Sequence, residues 1–175
     1  MILSLAEEDC DPRVAPDVFV APTAVVVGDV VLAQGVSIWY GTVLRGDVAK
    51  IRVGERTNIQ DLACVHVTGG RWDTHIGADI TVGHSAIIHG ATVHDRALIG
   101  MGSIILDGAE IGEEAVVAAG AIVPPGMVVP PRTLVRGTPA KIVGEVTPEQ
   151  RKLGINGAID YVKLRERHRI AKTVK

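Results

Sequence analysis

Aromatic side chains are almost missing from this 175-residue sequence, which has one Phe, two Trp and two Tyr, only 3% of its residues. The hydrophobic fraction is nevertheless 47%, so a core has to be filled by Val, Ile, Leu and Ala. A chain of this length can form one domain with a substantial core. Side chains without rings suit a slender interior that is repeated at every turn of a coil.

Strong net charge, paired cysteines and long apolar runs are also lacking. The net charge of −2 gives no electrostatic reason to expect nucleic acid or an anionic membrane as a partner. No apolar run approaches the roughly 18 residues of a membrane span, and residues 7–9 are acidic where a signal peptide would be positive. Cys10 and Cys64 lie far apart and form no CxxC motif. We therefore expect a cytoplasmic protein in a reducing environment, with Cys64 as a small buried hydrophobic residue.

Aliphatic residues, in contrast, recur every six positions through most of the chain. They are Val20, Val26, Leu32, Ile38, Leu44, Val53, Ile59, Val65, Ile76, Val82 and Ile88, and, after a slip of one residue, Val93, Ile99, Ile105, Ile111, Val117, Val123, Val129 and Val135. A fixed short period predicts a solenoid, in which each unit buries its apolar side chain by stacking on its neighbours. The alternative is an antiparallel sandwich of six-residue strands, but sandwiches alternate with period two and space their turns more widely. The pattern favours an all-β solenoid.

The repeat divides the chain into three parts: an irregular lead-in over residues 1–18, the solenoid over residues 19–143, and a C-terminal helix within residues 144–175. The rhythm breaks at residues 44–53 and again at 65–76. The second break is expected to be a loop that leaves the coil. Loops on a rigid scaffold are common places for functional residues.

The C-terminal helix is expected to begin at a capping box, because residues 147–150 place Thr at the N-cap, Pro at the first helical position and Gln at the third. Two glycines, Gly154 and Gly157, predict a break or bend. The basic residues of the tail are predicted to be solvated rather than to form a binding patch. Helical spacing predicts an apolar stripe packed on the solenoid, formed by Ile155, Ile159 and Val162.

Three histidines lie at defined slots of the aliphatic repeat: His66, His84 and His89. A set of three imidazoles with an open position is the pattern of catalytic zinc, whereas structural zinc favours closed sites with cysteines. A single histidine among apolar neighbours is more often a hydrogen-bonded packing residue. That simpler interpretation is preferred for His75 and His94, and a solvated position on the helix for His168.

Polar side chains interrupt apolar segments upstream of the histidines. Arg45 needs a charged partner there, and Asp47 or Asp61 is a natural one. Gln60 and Asn58 are neutral groups that can hydrogen-bond near a water at a metal. The simpler alternative is that Asn58 and Asp61 are ordinary corner residues of the coil.

Several runs resemble γ-class carbonic anhydrases, in the same order and spacing, over about residues 15–165. They are Ser37-Ile38-Trp39-Tyr40-Gly41-Thr42-Val43-Leu44-Arg45-Gly46-Asp47, Thr57-Asn58-Ile59-Gln60-Asp61, Val65-His66-Val67, Val82-Gly83-His84, Ile88-His89-Gly90 and Gly100-Met101-Gly102. The resemblance implies a left-handed parallel β-helix of hexapeptide repeats with a C-terminal α-helix. It also implies a homotrimer that carries out metal-dependent, reversible hydration of carbon dioxide to bicarbonate, with no nucleic acid or membrane partner.

The resemblance also implies a role for each matching residue. His66 and His89 of one chain and His84 of its neighbour would hold Zn²⁺, although Fe²⁺ and Co²⁺ also accept imidazole ligands. The remaining matches divide into interface ion pairs that line the bicarbonate site (Arg45, Asp47, Asp61), polar residues at the reactive solvent (Gln60, Asn58), and helix residues over the pocket (Asn156, Tyr161).

Two departures from the archaeal prototype of the family bear on turnover. Val48 follows Asp47 where the prototype has a catalytic glutamate, and the loop at 68–75 is short and lacks the acidic residues used there for proton transfer. Slow hydration is therefore expected. The alternatives are a non-hydrating scaffold subunit, a metalloenzyme for another substrate, and an acyltransferase that binds coenzyme A between solenoids.

Overall fold

Strands of mostly two or three residues stack in parallel, one coil above the next. The computed structural model describes residues 1–5 and 10–171, so the acidic run 7–9 lies outside the described residues. The elements are β1 (Ile2–Leu3), β2 (Arg13–Val14), β3 (Phe19–Val20), β4 (Val25–Leu32), β5 (Ser37–Ile38), β6 (Val43–Val53), β7 (Asn58–Ile59), β8 (Cys64–His66), β9 (Thr74–Ile76), β10 (Thr81–Val82), β11 (Ile87–His89), β12 (Thr92–Val93), β13 (Leu98–Ile99), β14 (Ile104–Ile105), β15 (Glu110–Ile111), β16 (Val116–Val117), β17 (Ile122–Val123), β18 (Val128–Val129), β19 (Thr133–Arg136), β20 (Lys141–Glu145) and α1 (Pro148–Arg169).

The coils present three faces, each built from one strand per coil. One face has the order β3-β5-β7-β10-β13-β16-β19, a second has β8-β11-β14-β17, and a third has β9-β12-β15-β18. Strand pairing on these faces is parallel, and Val82 is registered beside Ile59 of the coil before and Ile99 of the coil after. The predicted left-handed parallel β-helix with a C-terminal helix is confirmed.

The interior is filled by the aliphatic residues of the six-residue repeat. From Val26 to Val135, every one of those residues is at most 3% exposed, whereas Val20 in the first coil is half-buried. Identical slots stacked along one axis form a continuous core that no single coil could form alone. Cys64 was expected to be a small buried residue, but it is only half-buried.

The lead-in and the two breaks differ from regular coils in distinct ways. Residues 1–18 were expected to be irregular, but β1 and β2 pair in parallel with β4. The first break lies within β6, whose start pairs with β8 and whose end pairs with β9. Strand β6 therefore passes from one face to the next. The second break is the predicted loop, over residues 67–73.

A break or bend was predicted at Gly154 and Gly157, but helix α1 is continuous through both residues, so a break there was wrong. Both glycines face the solenoid. A Cβ on Gly154 would lie 3.3 Å from Leu98 Cβ, and one on Gly157 would lie 2.6 Å from Thr81 Oγ1. The Thr81 hydroxyl donates to the Gly154 carbonyl oxygen at 3.2 Å. A larger side chain at either position would therefore crowd the solenoid, so the two glycines allow close packing of the helix.

The buried face of α1 is also offset from the predicted stripe. Gly154, Ala158 and Arg165 are buried, whereas Ile159 is exposed. Arg165 was expected to be solvated, but it donates to the Asp17 carbonyl oxygen at 3.0 Å and to the Asp17 carboxylate at 3.2 Å. The helix is therefore held by polar anchors as well as by apolar contact. Among residues 1–5 and 10–171, no helix combines the length and the apolar character that a membrane crossing requires.

His168 is a further anchor and not the solvated residue expected. Its Nδ1 lies 2.9 Å from the Tyr40 hydroxyl, and its ring stands edge-on to Trp39 at a centroid distance of 4.8 Å. Trp39 also contacts the Tyr161 ring at 4.9 Å. Apart from Trp72, the aromatic residues of the chain thus gather where the end of α1 meets the first coils.

We expect Glu114→Gln to lower the free energy of unfolding by about 2 kcal/mol near pH 7, the range for hydrogen bonds to charged groups. Glu114 is buried and accepts from Arg96 at 3.1 Å and from Arg151 of α1 at 2.7 Å. Burial raises the pKa of Glu114, but the hydrogen bonds from Arg151 and Arg96 outweigh it and hold the pKa below its ordinary value.

The pH dependence follows from that direction. Because the folded pKa lies below the unfolded one, the contribution of Glu114 is present above the unfolded pKa and is lost as the pH falls through the folded pKa. In urea unfolding, the difference in free energy of unfolding between wild type and Glu114→Gln should therefore become smaller below about pH 4. Glu113→Gln, at the exposed neighbouring position, is the matched control, and equal losses in both variants would contradict the assignment.

Candidate metal centre

Two of the three candidate ligands lie on adjacent coils. His66 ends β8 and His89 ends β11, and the two residues are registered side by side. The Nδ1 atom of His66 lies 3.0 Å from the Nε2 atom of His89. Two nitrogens that each stand about 2.0–2.1 Å from a tetrahedral zinc ion are about 3.3 Å apart, so this spacing fits a shared divalent ion.

A carboxylate holds the second nitrogen of each of these rings. Asp47 Oδ1 lies 3.0 Å from His66 Nε2, and Asp107 Oδ1 lies 2.6 Å from His89 Nδ1. Such partners fix the tautomer and the orientation of a metal-binding imidazole. The other two nitrogens, His66 Nδ1 and His89 Nε2, thereby face each other, as a shared ion would require.

Asp47 reaches His66 because β6 crosses a corner of the coil there. Arg45 pairs with Asp47 within the same chain. Burial raises the pKa of Asp47, but hydrogen bonds from Arg45 and His66 outweigh it and keep the pKa below its ordinary value. Asp47 is therefore an ionised acceptor for the imidazole N–H. We call Arg45, Asp47, His66, His89 and Asp107 the histidine-pair half-site.

The third candidate ligand lies elsewhere, in the turn between β10 and β11. His84 Nδ1 stands 2.8 Å from Asp61 Oδ2, so its ring is also held by a carboxylate. Asp61 Oδ1 accepts from the Tyr40 backbone N–H at 3.2 Å. His84 precedes β11, whereas His89 lies at its end. Within residues 1–5 and 10–171, no three His, Cys, Asp or Glu residues are grouped so that they could hold a metal ion together.

A chain of amide groups lies beneath His84. Gln60 Nε2 donates to Asn58 Oδ1 at 3.1 Å, and Asn58 Nδ2 donates to Thr81 Oγ1 at 3.0 Å and to the Ile80 carbonyl oxygen at 3.2 Å. Asn58 is fully buried, so it is not an ordinary corner residue. Because the side-chain NH₂ group of Gln60 donates to Asn58, the side-chain oxygen of Gln60, Oε1, is left as an acceptor.

Gln60 and His84 line one end of a cavity of about 630 Å³ between α1 and the solenoid. Most of its wall is apolar, with Leu98, Ile99 and Met101 beside the polar end. Tyr161 also lines it, and burial raises the pKa of Tyr161, with the Asp61 charge adding to the effect. We call Asn58, Gln60, Asp61, His84 and Tyr161 the cavity half-site.

The remaining predicted residues lie apart from both half-sites. Asn156 is exposed on α1 and does not line the cavity, so its role at the pocket stays a prediction. His75 lies 3.9 Å from Asp73, and His94 lies 2.7 Å from Glu110. Both make surface contacts with carboxylates.

Asp107 was missed by the sequence analysis. It follows His89 by 18 residues, the length of about one coil, and a search for carboxylates one coil from each histidine would have found it. Asp61 and Asp47 precede their histidines by 23 and 19 residues, because β6 and the 67–73 loop lengthen those coils.

Several proteins that are similar to this chain are named for carbonic anhydrase or acyl-transfer activity. The family described as bacterial transferase hexapeptide (six repeats) matches residues 90–125. A carbonic anhydrase of Geobacillus kaustophilus is 55% identical over 79% of this chain and 75% of its own length. γ carbonic anhydrase 2, mitochondrial, of Arabidopsis thaliana is 47% identical over 91% of this chain.

A solved structure from Bacillus cereus, described as a candidate acetyltransferase, superposes with a TM-score of 0.90 at 40% identity and covers 94% of this chain and 96% of its own. The fold defines a hexapeptide-repeat protein, which here carries three candidate histidine ligands. More narrowly, the chain belongs to the γ-class carbonic anhydrase-like family. It spans 59% of the length of the Arabidopsis relative.

Proposed function

We propose that the chain hydrates carbon dioxide reversibly to bicarbonate as a metal-dependent homotrimer, at sites shared between neighbouring chains. The observation that carries the proposal is the division of the site into two prepared halves. Three imidazoles are each held by their own carboxylate, yet one of them lies beyond the reach of the other two. In a closed cyclic trimer, each histidine-pair half-site would face the cavity half-site of the next chain.

His66, His89 and the neighbour's copy of His84 would hold the ion, with zinc as the first candidate and iron(II) and cobalt as alternatives. When bound, such an ion supplies a Lewis acid beside which water loses a proton near pH 7, a value characteristic of carbonic anhydrases. The three carboxylates Asp47, Asp61 and Asp107 hold the rings in place.

The other residues would bind and orient the reactants. Carbon dioxide is apolar and suits the wall formed by Leu98 and Ile99. The side-chain oxygen Oε1 of Gln60 is an acceptor that would orient the attacking water, since the side-chain nitrogen of Gln60 donates to Asn58. Arg45 presents a guanidinium half-exposed beside Asp47, where it would attract the bicarbonate anion.

The test is stopped-flow carbon dioxide hydration by protein loaded separately with zinc, cobalt and, without oxygen, iron(II). His84→Ala is the control, because it removes one ligand and leaves the histidine pair intact. Hydration above that control with any of the metals supports the proposal. No rate above the His84→Ala control with any of the three metals would favour a scaffold role, another substrate or acyl transfer.

We expect Gln60→Leu to lower kcat/KM for hydration by about 10²-fold, the lower end of the range for loss of one orienting group in a reactive site. Leucine has a similar volume but cannot accept a hydrogen bond. Metal content and trimer mass should stay at the wild-type level, as measured by elemental analysis and light scattering. Loss of metal in this variant would assign Gln60 to the assembly of the site instead.

A further inference from the structure

The segment of residues 67–74, which comprises the loop 67–73 and the first residue of β9, is tied to both members of the histidine pair. The Thr74 hydroxyl is buried, donates to the His66 carbonyl oxygen at 2.6 Å and accepts from the Gly90 N–H at 2.9 Å. At the start of the segment, the Thr68 hydroxyl donates to Asp107 Oδ2 at 2.8 Å. The segment therefore contacts residues of the histidine-pair half-site and their neighbours at two places, through Thr68 of the loop and Thr74 of β9.

The Thr68 contact bears directly on the orientation of His89. Asp107 uses Oδ1 for His89 Nδ1 and Oδ2 for the Thr68 hydroxyl, so both of its oxygens are occupied. A carboxylate rotates about one terminal torsion, which has a broad minimum. A hydrogen bond on the second oxygen narrows that rotation and keeps the first oxygen facing the ring.

Trp72 holds the loop in this position. The loop closes through reciprocal backbone hydrogen bonds between Thr68 and Trp72, at 2.9 and 3.0 Å. Trp72 then lies across two glycines at corners of the coil, where a Cβ on Gly108 would be 3.0 Å from its ring and one on Gly90 would be 2.8 Å from its Cβ. Because neither glycine has a Cβ, the corners leave room for the indole, and the positive φ of both residues also favours glycine there.

We propose that Thr68 is a positioning residue of the metal centre, which acts through Asp107 to keep the N–H of His89 on Nδ1 and its lone pair on Nε2. Nε2 is the atom that faces His66, and only a deprotonated nitrogen can bind a metal ion. The role of Thr68 in metal binding rests on the metal centre of the proposed function. The structural part of the proposal, the chain from Thr68 to Asp107 to His89, exists without a metal.

The test compares Thr68→Val, which keeps the shape and removes the hydroxyl, with Thr68→Ser, which keeps the hydroxyl. In metal-free protein labelled with ¹⁵N-histidine, the His89 signals are assigned by comparison with His89→Asn. We expect the Nδ1–H tautomer of His89 to dominate in wild type and Thr68→Ser and to lose population in Thr68→Val. Zinc affinity, measured by chelator competition, should fall about tenfold in Thr68→Val alone, the lower end of the range for lost outer-shell partners.

An unchanged His89 tautomer in Thr68→Val, or equal changes in the Val and Ser variants, would overturn the proposal. A tautomer shift in a protein that binds no zinc even as wild type would leave the role of Thr68 in place and refute the metal centre instead. If Thr68→Val does not fold, Thr68→Ala removes the same hydroxyl with less bulk. Trimer mass, followed by light scattering, separates a local effect on His89 from a loss of assembly.

Discussion

Chains carrying His66→Ala and chains carrying His84→Ala are each expected to bind almost no metal alone, and to regain metal when they are co-expressed or refolded together. The first variant lacks a ligand in the histidine-pair half-site, and the second lacks the ligand of the cavity half-site. The described residues bring no three such ligands together, and in the proposed trimer a complete site would need one intact half from each of two chains.

The size of the recovery follows from the symmetry. In a mixed trimer, one of the three interfaces joins an intact histidine pair to an intact His84, and the other two lack at least one ligand. With random assembly of equal amounts, about three quarters of the trimers are mixed, so metal content should return to about a quarter of the wild-type value. Elemental analysis after size-exclusion chromatography measures it.

A mixture of His66→Ala with His89→Ala chains is the matched control, because both variants damage the same half-site and no interface can be complete. Recovery in that control, or full metal retention in His84→Ala alone, would contradict a site shared between chains. A wild-type protein that stays monomeric at micromolar concentration would contradict it as well. The control separates complementation from a general stabilising effect of mixing.

The solenoid could be predicted because its stabilising interaction is repeated. Each coil places one aliphatic residue in the same slot, so the period is visible in the sequence without knowledge of the partners. The buried face of the helix was harder to predict, because its packing depends on a single contact surface that is not repeated along the sequence. Ile155, Ile159 and Val162 gave the usual apolar spacing, but the helix approaches the sheet through Gly154 and Ala158, where small size matters more than hydrophobicity.

The candidate ligands were found from their type and slot, but the groups that hold them were found only in part. Asp47 and Asp61 were predicted as partners for Arg45. The structure pairs Asp47 with Arg45 and also with His66, whereas Asp61 holds His84. Asp107 and Thr68 carry no local signal, because they reach His89 from the following coil and from a loop. Contacts between coils depend on register, which the irregular lengths near β6 and residues 67–73 obscure.

Proton removal is expected to limit hydration, so imidazole buffer should raise kcat by about tenfold at saturating carbon dioxide and leave kcat/KM nearly unchanged. Hydration releases one proton for each bicarbonate formed, and that proton has to reach the solvent. Asp47 is engaged by Arg45 and His66, and Asp107 by Thr68 and His89, so neither carboxylate is free to carry it. Transfer to buffer occurs after bicarbonate is formed, which is why kcat responds and kcat/KM does not.

Val48 offers a direct way to test this bottleneck. It is 55% exposed, directly follows Asp47 and lies next to Gly69 of the loop, at the position where the archaeal prototype of the family carries a catalytic glutamate. Val48→Glu should raise kcat in weak buffer and reduce the response to imidazole, because a solvent-exposed carboxylate can accept a proton and release it. Glutamine has nearly the same shape as glutamate but no titratable group, so Val48→Gln should behave like wild type. A wild-type rate that is already independent of buffer would mean that another group of this chain carries the proton.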